Sequence, residues 1–423
     1  MRILSVVTYL SLTATSFAYV KFGSYAKQKP VLSTPAEPQT IENSYIVVFK
    51  KSVKPGLGAF ASHFHQLHRN INLLKAESSE ESINNINHIY DEGVVGYSGT
   101  FEPKLIEFIK NSDEVEYVEK DQVVYASDLQ SGAPWGLARV SQRAGLTISN
   151  YDKYYHDPKG GNGVLAYVVD TGVNIEHQDF EGRAEWGKTV PFGDEDIDGN
   201  GHGTHVAGTI AGKKYGIAKK AKVIAVKVLR SNGSGSMSDV VAGVSFVAKD
   251  AKERAVKASK AGKVLNSVAN MSLGGGYSRA LNQAVDEAVS NGIHFVVAAG
   301  NDNRDACSYS PASSASAITV GSTDLSDNRS SFSNFGPCVN VFAPGRNILS
   351  TWIGSKTASR SISGTSMASP HVCGLAAYFL SLADQPLTTS QLAKLITESA
   401  TKGIVTSPGA GSPNLLIYNN SGN

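Results

Sequence analysis

Long apolar runs without polar alternation recur through the last two thirds of the chain. They occupy residues 164–169, 223–229, 268–273, 294–299, 317–321 and 339–343. Unbroken runs rich in β-branched residues and alanine are typical of strands that are buried on both faces. Helical spacing lies between the runs, notably over 238–260 and 278–291. The alternation predicts a doubly wound α/β domain with a mainly parallel sheet, whose ligands bind at the carboxyl ends of the strands.

A shorter unit with a different pattern precedes this domain, after a polar, proline-containing lead-in over 19–40. Its predicted elements are strands at 45–49 and 93–101, helices at 58–74 and 104–111, and a strand pair over 115–125. Strands that alternate with two helices over roughly 80 residues are typical of a small α/β-plait domain.

The first 18 residues have the pattern of a secretory signal peptide. Arg2 gives a short positive region, residues 3–14 are apolar and uncharged, and Ser16 and Ala18 supply small residues before a cleavage point. The apolar run is shorter than the ~20 residues that span a bilayer, and no later stretch is long and apolar enough to do so.

Charge and cysteine content narrow the function classes. The formal net charge is +2, which gives no electrostatic reason to expect nucleic acid or an anionic membrane as a partner. Three cysteines at 307, 338 and 373 suit one disulfide and one leftover thiol in an oxidising compartment, and the sequence allows three pairings.

Three polar motifs stand at the ends of predicted elements. Asp170 closes the first buried run, His202 lies in the segment Asp-Gly-Asn-Gly-His-Gly-Thr-His, and Ser366 lies in Ser-Gly-Thr-Ser-Met-Ala-Ser-Pro-His. The last motif predicts a helix that begins at the serine. The order Asp, His, Ser differs from that of α/β-hydrolases and chymotrypsin-like enzymes, and Ala368 replaces the final glycine of a nucleophile elbow. An esterase of the α/β-hydrolase fold is therefore disfavoured.

With these motifs the chain resembles the subtilisin superfamily, in particular its proteinase K branch of fungal alkaline and cerevisin-like proteases. The resemblance covers nearly all of 128–423 and includes the segments at 133–139, 270–276 and 298–301. Segment 44–125 resembles the inhibitor-type propeptide of the same family. The implied organisation is a signal peptide at 1–18, a propeptide at 19–127 and a peptidase domain at 128–423.

The resemblance implies a role for each polar residue. Ser366 is the nucleophile, His202 the general base and Asp170 the group that orients the imidazole. The side-chain amide of Asn301 and the backbone N–H of Ser366 form the oxyanion hole. No cofactor or catalytic metal is expected.

Substrate is expected to bind as an extended strand along two glycine-rich segments and to place one side chain in a small neutral pocket. The predicted substrate-binding residues are Gly233, Ser234, Gly235, Ser272, Leu273, Gly274, Gly275, Ala298, Ala299 and Gly300. Small uncharged walls favour apolar or aromatic P1 residues, and no acidic cluster suggests kexin-like recognition of basic pairs.

The resemblance also bears on the cysteines and on calcium. Relatives with this spacing bridge the residues at Cys307 and Cys338, which leaves Cys373 as a buried free thiol. Asn340 stands where proteinase K has a calcium-binding aspartate, so a weaker calcium site or none is expected. His205 is expected to be structural rather than a metal ligand.

Two further features are an acidic segment and four glycosylation sequons. The acidic segment 194–199 resembles the start of an EF-hand loop, but the glutamate required at position twelve is His205, so an acidic surface turn is expected. Sequons at Asn232, Asn328 and Asn419 are glycosylation candidates, whereas a fourth at Asn270 lies in a buried strand.

The favoured function is a secreted, monomeric, broad-specificity endopeptidase. It is made as a zymogen that cleaves itself within 125–128 and is inhibited until then by its own propeptide. Two alternatives are a vacuolar enzyme of the same chemistry and a non-catalytic binding protein of the same fold. The second is disfavoured because all four catalytic positions are filled.

Overall fold

A computed structural model describes residues 31–32, 40–56, 58–77, 83–122 and 128–422. The chain divides into two compact units, Met1–Val124 and Tyr125–Asn423. The predicted signal peptide and residues 123–127, which carry most of the predicted processing junction, lie outside the described residues.

The first unit is a five-stranded sheet with two helices. Its elements are β1 Val31–Leu32, β2 Thr40–Phe49, α1 Ala59–Glu77, β3 Asn85–Tyr90, β4 Gly96–Thr100, α2 Pro103–Asn111 and β5 Val115–Gln122. Within its described residues the strand order is β1-β5-β2-β4-β3, with β1 and β5 paired in parallel and the other pairs antiparallel. Strand β3 was not predicted, and a single strand β5 occupies most of the region for which a strand pair was expected.

The core of this unit follows the apolar spacing. Helix α2 buries Leu105, Ile106 and Ile109, which lie on one helical face, against the same cluster as Val47 and Val118 of the sheet.

The second unit is built on a nine-stranded sheet. The strands of the sheet are β8 Val164–Asp170, β9 Ala184–Thr189, β10 Lys222–Lys227, β11 Asn266–Met271, β13 His294–Ala298, β15 Ile318–Thr323, β16 Val341–Pro344, β19 Thr401–Lys402 and β20 Leu415–Leu416. Their order is β19-β20-β16-β15-β13-β11-β8-β10-β9, and all pairs of this sheet are parallel except β19 with β20.

Helices and short hairpins complete the unit. The helices are α3 Trp135–Val140, α4 His202–Ala211, α5 Met237–Lys260, α6 Arg279–Ser290, α7 Thr365–Leu382 and α8 Thr389–Ser399. Three pairs of short strands form separate two-stranded sheets: β6 Asp128–Gln130 with β7 Tyr154–His156, β12 Gly275–Gly276 with β14 Tyr309–Ser310, and β17 Ile348–Thr351 with β18 Ser359–Ile362.

Strand β8 explains why the sheet is covered on both faces. All seven of its residues are buried. Val164, Ala166 and Val168 contribute to the core that also contains α4 and α7. The alternate residues Leu165 and Tyr167 contribute to the core with α5 and α6. Because successive strand residues point to opposite faces, this continuous apolar run requires a layer of helices on each side. The predicted doubly wound fold is confirmed.

Candidate active site

Asp170 and His202 meet at the carboxyl end of β8. The Asp170 side chain is fully buried, and its Oδ1 accepts hydrogen bonds from the backbone N–H of Thr171 and from Nδ1 of His202, each at 2.8 Å. The His202 side chain retains 25% exposure, so the imidazole faces the cleft while the carboxylate behind it does not. This is the arrangement in which a carboxylate fixes the tautomer of an imidazole base.

Gly203 allows the start of α4 to lie close to the end of β8. His202 is the first residue of α4, and a Cβ added to Gly203 would clash with the carbonyl oxygen of Gly172 and lie 3.1 Å from Cβ of Asp170. A side chain at this position would therefore push the start of the helix away from the strand that carries Asp170. The glycine after the histidine is required by packing.

Ser366 lies in the first turn of α7, which begins at Thr365, one residue earlier than predicted. Its hydroxyl donates to the carbonyl of Ser272 at 3.2 Å, and its own carbonyl accepts from the Ser272 hydroxyl at 2.7 Å. Pro370 lies inside this helix and has no N–H, so the Ser366 carbonyl lacks its usual helical donor. The Ser272 hydroxyl supplies the missing hydrogen bond and joins the serine to the end of β11.

Asn301 is held by its oxygen, which leaves its amide nitrogen available. Oδ1 accepts from the backbone N–H of Thr365 at 2.8 Å and from the Thr365 hydroxyl at 2.9 Å. A Cβ added to Gly364 would lie 3.7 Å from Nδ2 of Asn301 and 3.5 Å from the N–H of Ser366. Two hydrogen-bond donors thus converge beside the serine, as an oxyanion hole requires.

The electrostatic surroundings tune His202. Burial alone would lower the pKa of this imidazole, but the charge and hydrogen bond of Asp170, together with the charge of Asp198, outweigh burial and raise the pKa above 6.5. Asp198 was expected in an acidic surface turn. That expectation is wrong for this residue, which is only 8% exposed because its carboxylate is enclosed by the start of α4.

A cavity of about 450 Å³ adjoins these residues and is lined by both His202 and Ser272. It contains seven of the ten predicted substrate-binding residues, namely Gly233, Ser234, Gly235, Ser272, Leu273, Gly274 and Gly275. The remaining three do not line it. Ala298 and Ala299 are buried at the end of β13, and the N–H of Gly300 donates to the Thr365 hydroxyl.

Sequence reasoning missed the apolar wall of this cavity. Its members are spread over three segments and include Leu229, Met237, Val240 and Leu281. Helical spacing at the start of α5 could have identified Met237 and Val240 as neighbours, but it does not indicate that they face a cleft.

The cysteines pair as expected, and His205 lies in the interior of the peptidase unit. The pairing of Cys307 with Cys338 is confirmed, with a Cα–Cα distance of 5.3 Å, and Cys373 is a buried free thiol. His205 is buried, and its Nε2 lies 2.8 Å from the carbonyl of Ile348. Within the described ranges, no group of three or more His, Cys, Asp or Glu side chains could hold a metal ion.

The four sequons differ in environment. Asn270 and Asn419 are buried, and their Nδ2 atoms donate to the Ser272 hydroxyl and to the carbonyl of Tyr155. Nδ2 of Asn328 contacts both oxygens of Asp324. Asn232 is exposed, and its Oδ1 accepts from the N–H and the hydroxyl of Ser234.

Comparisons with known proteins identify the family. Residues 161–415 match the model described as the subtilase family, and residues 44–127 match the peptidase inhibitor I9 model. The chain belongs to the subtilase family. It is 52% identical to a subtilisin-like protease of Coccidioides posadasii, over 93% of this chain and 84% of the relative. It is 50% identical to the subtilisin-like serine protease Pen c 2 of Penicillium citrinum, over 93% and 91% of the two chains.

A solved structure supports the same assignment. A cold-adapted subtilisin-like serine proteinase aligns with a TM-score of 0.62 and 46% identity, over 68% of this chain and 99% of its own. The subtilase is therefore a serine endopeptidase that carries an inhibitor-type propeptide, as the sequence motifs predicted. None of the helices within the described ranges is both long and apolar enough to cross a membrane.

Proposed function

We propose that this subtilase is a secreted, broad-specificity endopeptidase made as an autoprocessed zymogen, with Asp170, His202 and Ser366 as its catalytic triad. The observation that carries the proposal is the 2.8 Å hydrogen bond between Asp170 and His202, together with the convergence of the Ser366 N–H and Nδ2 of Asn301 beside the serine. The inhibitor-type segment supports inhibition by the propeptide.

The proposed mechanism is acyl transfer. Oγ of Ser366 attacks the scissile carbonyl carbon while Nε2 of His202 takes the hydroxyl proton, and Asp170 stabilises the imidazolium that forms. The tetrahedral oxyanion accepts hydrogen bonds from Nδ2 of Asn301 and from the N–H of Ser366. The C–N bond then breaks as His202 returns the proton to the leaving amine. Water, deprotonated by the same imidazole, hydrolyses the acyl-enzyme.

Apolar or aromatic P1 side chains are the proposed preference. The cleft is lined by glycines and serines together with the apolar side chains of Leu229, Met237 and Leu281, and no Asp, Glu, Lys or Arg is among its described lining residues. Profiling cleavage sites on a mixed peptide library tests this proposal. Enrichment of apolar and aromatic residues at P1 is expected, and selective cleavage after basic pairs would contradict it.

Autoprocessing is tested on the purified full chain. The wild type should separate into a propeptide fragment and a mature enzyme, with a new N-terminus within residues 125–128. Ser366→Ala should stay intact, because it has no nucleophile. Cys373→Ser serves as a matched control, since it alters a residue of the same helix that lies outside the catalytic site. If purified Ser366→Ala still cut itself at this junction, intramolecular processing by the triad would be refuted.

Secretion and glycosylation are proposed together. Asn232 is the proposed acceptor, because it is exposed and its Nδ2 has no hydrogen-bond partner within the described part of the chain. Mass spectrometry of the protein from culture medium should find a glycan that Asn232→Gln removes and Asn328→Gln does not.

Recovery of the active enzyme from vacuoles rather than medium would favour the vacuolar alternative. Size-exclusion chromatography should give a monomer.

Calcium is proposed to bind weakly or not at all at Asn340. The side chain is a neutral amide, and its Oδ1 already accepts the N–H of Thr319 at 2.7 Å, so it fits a hard divalent cation poorly. Chelation should leave the thermal stability of the wild type nearly unchanged, whereas Asn340→Asp should make it calcium-dependent. A large loss of wild-type stability in chelator would contradict the proposal.

A further inference from the structure

Asp198 accepts five hydrogen bonds just outside the catalytic pair. Its Oδ1 accepts from the Thr171 hydroxyl at 2.9 Å and from the backbone N–H groups of Asn200 and Gly201 at 3.1 and 2.8 Å. Its Oδ2 accepts from the N–H and the hydroxyl of Thr204, at 2.9 and 2.5 Å. Within the described ranges its direct partners are these N–H and O–H groups, and none of them is a lysine or an arginine.

These hydrogen bonds join the two elements that carry the catalytic pair. Thr171 directly follows Asp170, and its hydroxyl also accepts the N–H of Gly203 at 3.0 Å. Thr204 lies in the first turn of α4, two residues after His202. The Gly201 N-cap offers no side chain, so Asp198 and Thr171 satisfy helix N–H groups that would otherwise lack acceptors.

We propose that Asp198 is a positioning residue for catalysis, which fixes the start of α4 against the end of β8 so that Nδ1 of His202 stays bonded to Asp170. This proposal rests on the assignment of His202 as the catalytic base. It goes beyond that assignment, because Asp198 does not touch the reacting atoms and acts through the geometry and the charge around the imidazole.

The charge has a separate effect from the hydrogen bonds. The titratable groups whose charges act on His202 are the carboxylates of Asp170 and Asp198 and the imidazole of His205, one turn along α4. The buried ammonium of Lys227 lies on the neighbouring strand β10, where it donates to the carbonyl of Thr171. Burial lowers the pKa of His205 to about 4, so His205 is neutral at pH 7. Loss of the Asp198 charge therefore removes one of two nearby anions that favour the imidazolium.

The test is Asp198→Asn, with Asp196→Asn as the matched control. Both changes remove one negative charge from the same turn, but Asp196 is exposed, and among the described residues its carboxylate accepts a hydrogen bond only from the Thr189 hydroxyl. We expect the kcat of Asp198→Asn to fall at least tenfold with KM within about twofold, and the acid limb of its kcat/KM profile to move to lower pH. The direction follows because the free base is the active form and its protonation becomes less favourable. Asp196→Asn should match the wild type.

Thr171→Val separates the effect of the hydrogen-bond geometry around Asp198 from the effect of the Asp198 charge. It removes the hydroxyl that links Asp198 to Gly203 and keeps the carboxylate, so kcat should fall while the acid limb stays in place. Thr171→Ser restores the hydroxyl and should recover most of kcat. If Asp198→Asn does not fold, Thr171→Val carries the test, and wild-type kcat in that variant overturns the proposal.

Active-site titration with a fluorophosphonate restricts the comparison to folded enzyme. If Asp198→Asn is less heat-stable but each titrated site retains wild-type kcat and an unmoved acid limb, the role of Asp198 is structural only and the proposal is wrong. If the wild type itself is neither labelled nor active on peptides, the proposed function fails instead, so the two failures are distinguishable.

Discussion

The buried ion pair between Arg139 and Asp327 tests how much an unpaired buried charge lowers the stability of the peptidase unit. The Arg139 side chain is fully buried, and it donates to the two oxygens of Asp327 at 2.7 and 3.3 Å. It also donates to the carbonyl of Gln142. The pair joins α3 to the loop after β15, two segments 188 residues apart in the sequence.

Asp327→Asn removes the negative charge of the ion pair and keeps a side chain of nearly the same shape. Asp327 has a φ of 60°, a left-handed conformation that asparagine adopts readily, so the backbone should tolerate the change. The variant leaves a buried guanidinium without its counter-charge, and breaking one partner of a buried pair costs about 3–5 kcal/mol. For a unit of this size such a loss lowers Tm by on the order of 10 °C.

Thermal unfolding of the mature enzyme, inactivated at its serine to prevent autolysis, measures the effect. Glu176→Gln is the control. It breaks a 2.9 Å ion pair with Lys356 in which both side chains are at least 63% exposed, and the expected change is below about 1 kcal/mol. Arg139→Met combined with Asp327→Asn should recover much of the loss, because it removes the unpaired charge. If the two single variants, Asp327→Asn and Glu176→Gln, lose equal stability, the reasoning about burial is refuted.

Three further predictions concern the site and its support. Asn301→Leu should lower kcat by about 10²–10³, the effect established for the matching amide in subtilisin, while KM stays nearly constant in steady-state assays. Gly203→Ala should lower kcat at least tenfold, because the new Cβ displaces the start of α4, and wild-type kcat would contradict this packing argument. His205 and His371 are buried, and burial lowers the pKa of each to about 4. Unfolding therefore takes up protons between pH 6.5 and 4, so stability should be complete above pH 6.5 and decline through that window. Melting curves of the inhibited enzyme at successive pH values measure the decline, and a flat Tm from pH 6.5 to 4 would contradict it.

The sequence predicted the features that depend on local pattern. Continuous apolar runs such as 164–169 indicate a sheet covered on both faces, because no other arrangement buries every residue of a strand. The motifs around Asp170, His202 and Ser366 pointed to these residues through their resemblance to the subtilisin superfamily, and the structure places each at the end of a strand or in the first turn of a helix.

Features that depend on tertiary contacts were missed. Strand β3 is mostly exposed, half of its residues are Asn or His, and its apolar residues do not alternate regularly with polar ones, so the chain shows no strand pattern there; the hydrogen bonds of β3 come from its partner β4. Asp198 lies among other acidic residues, a composition typical of a surface turn. Only the fold shows that its carboxylate is covered by α4. The local signal that could have identified it is the aspartate followed by a Gly-Asn-Gly turn, a sequence that favours side-chain hydrogen bonds to the following backbone.

The central claim is that Ser366 is a nucleophile activated by His202. The most direct measurement is the rate and position of fluorophosphonate labelling on the mature enzyme, followed by peptide mapping. We predict one label per molecule, on Ser366, and a rate that falls by several orders of magnitude in His202→Ala. A label on another residue, or a rate that His202→Ala leaves unchanged, would contradict the account.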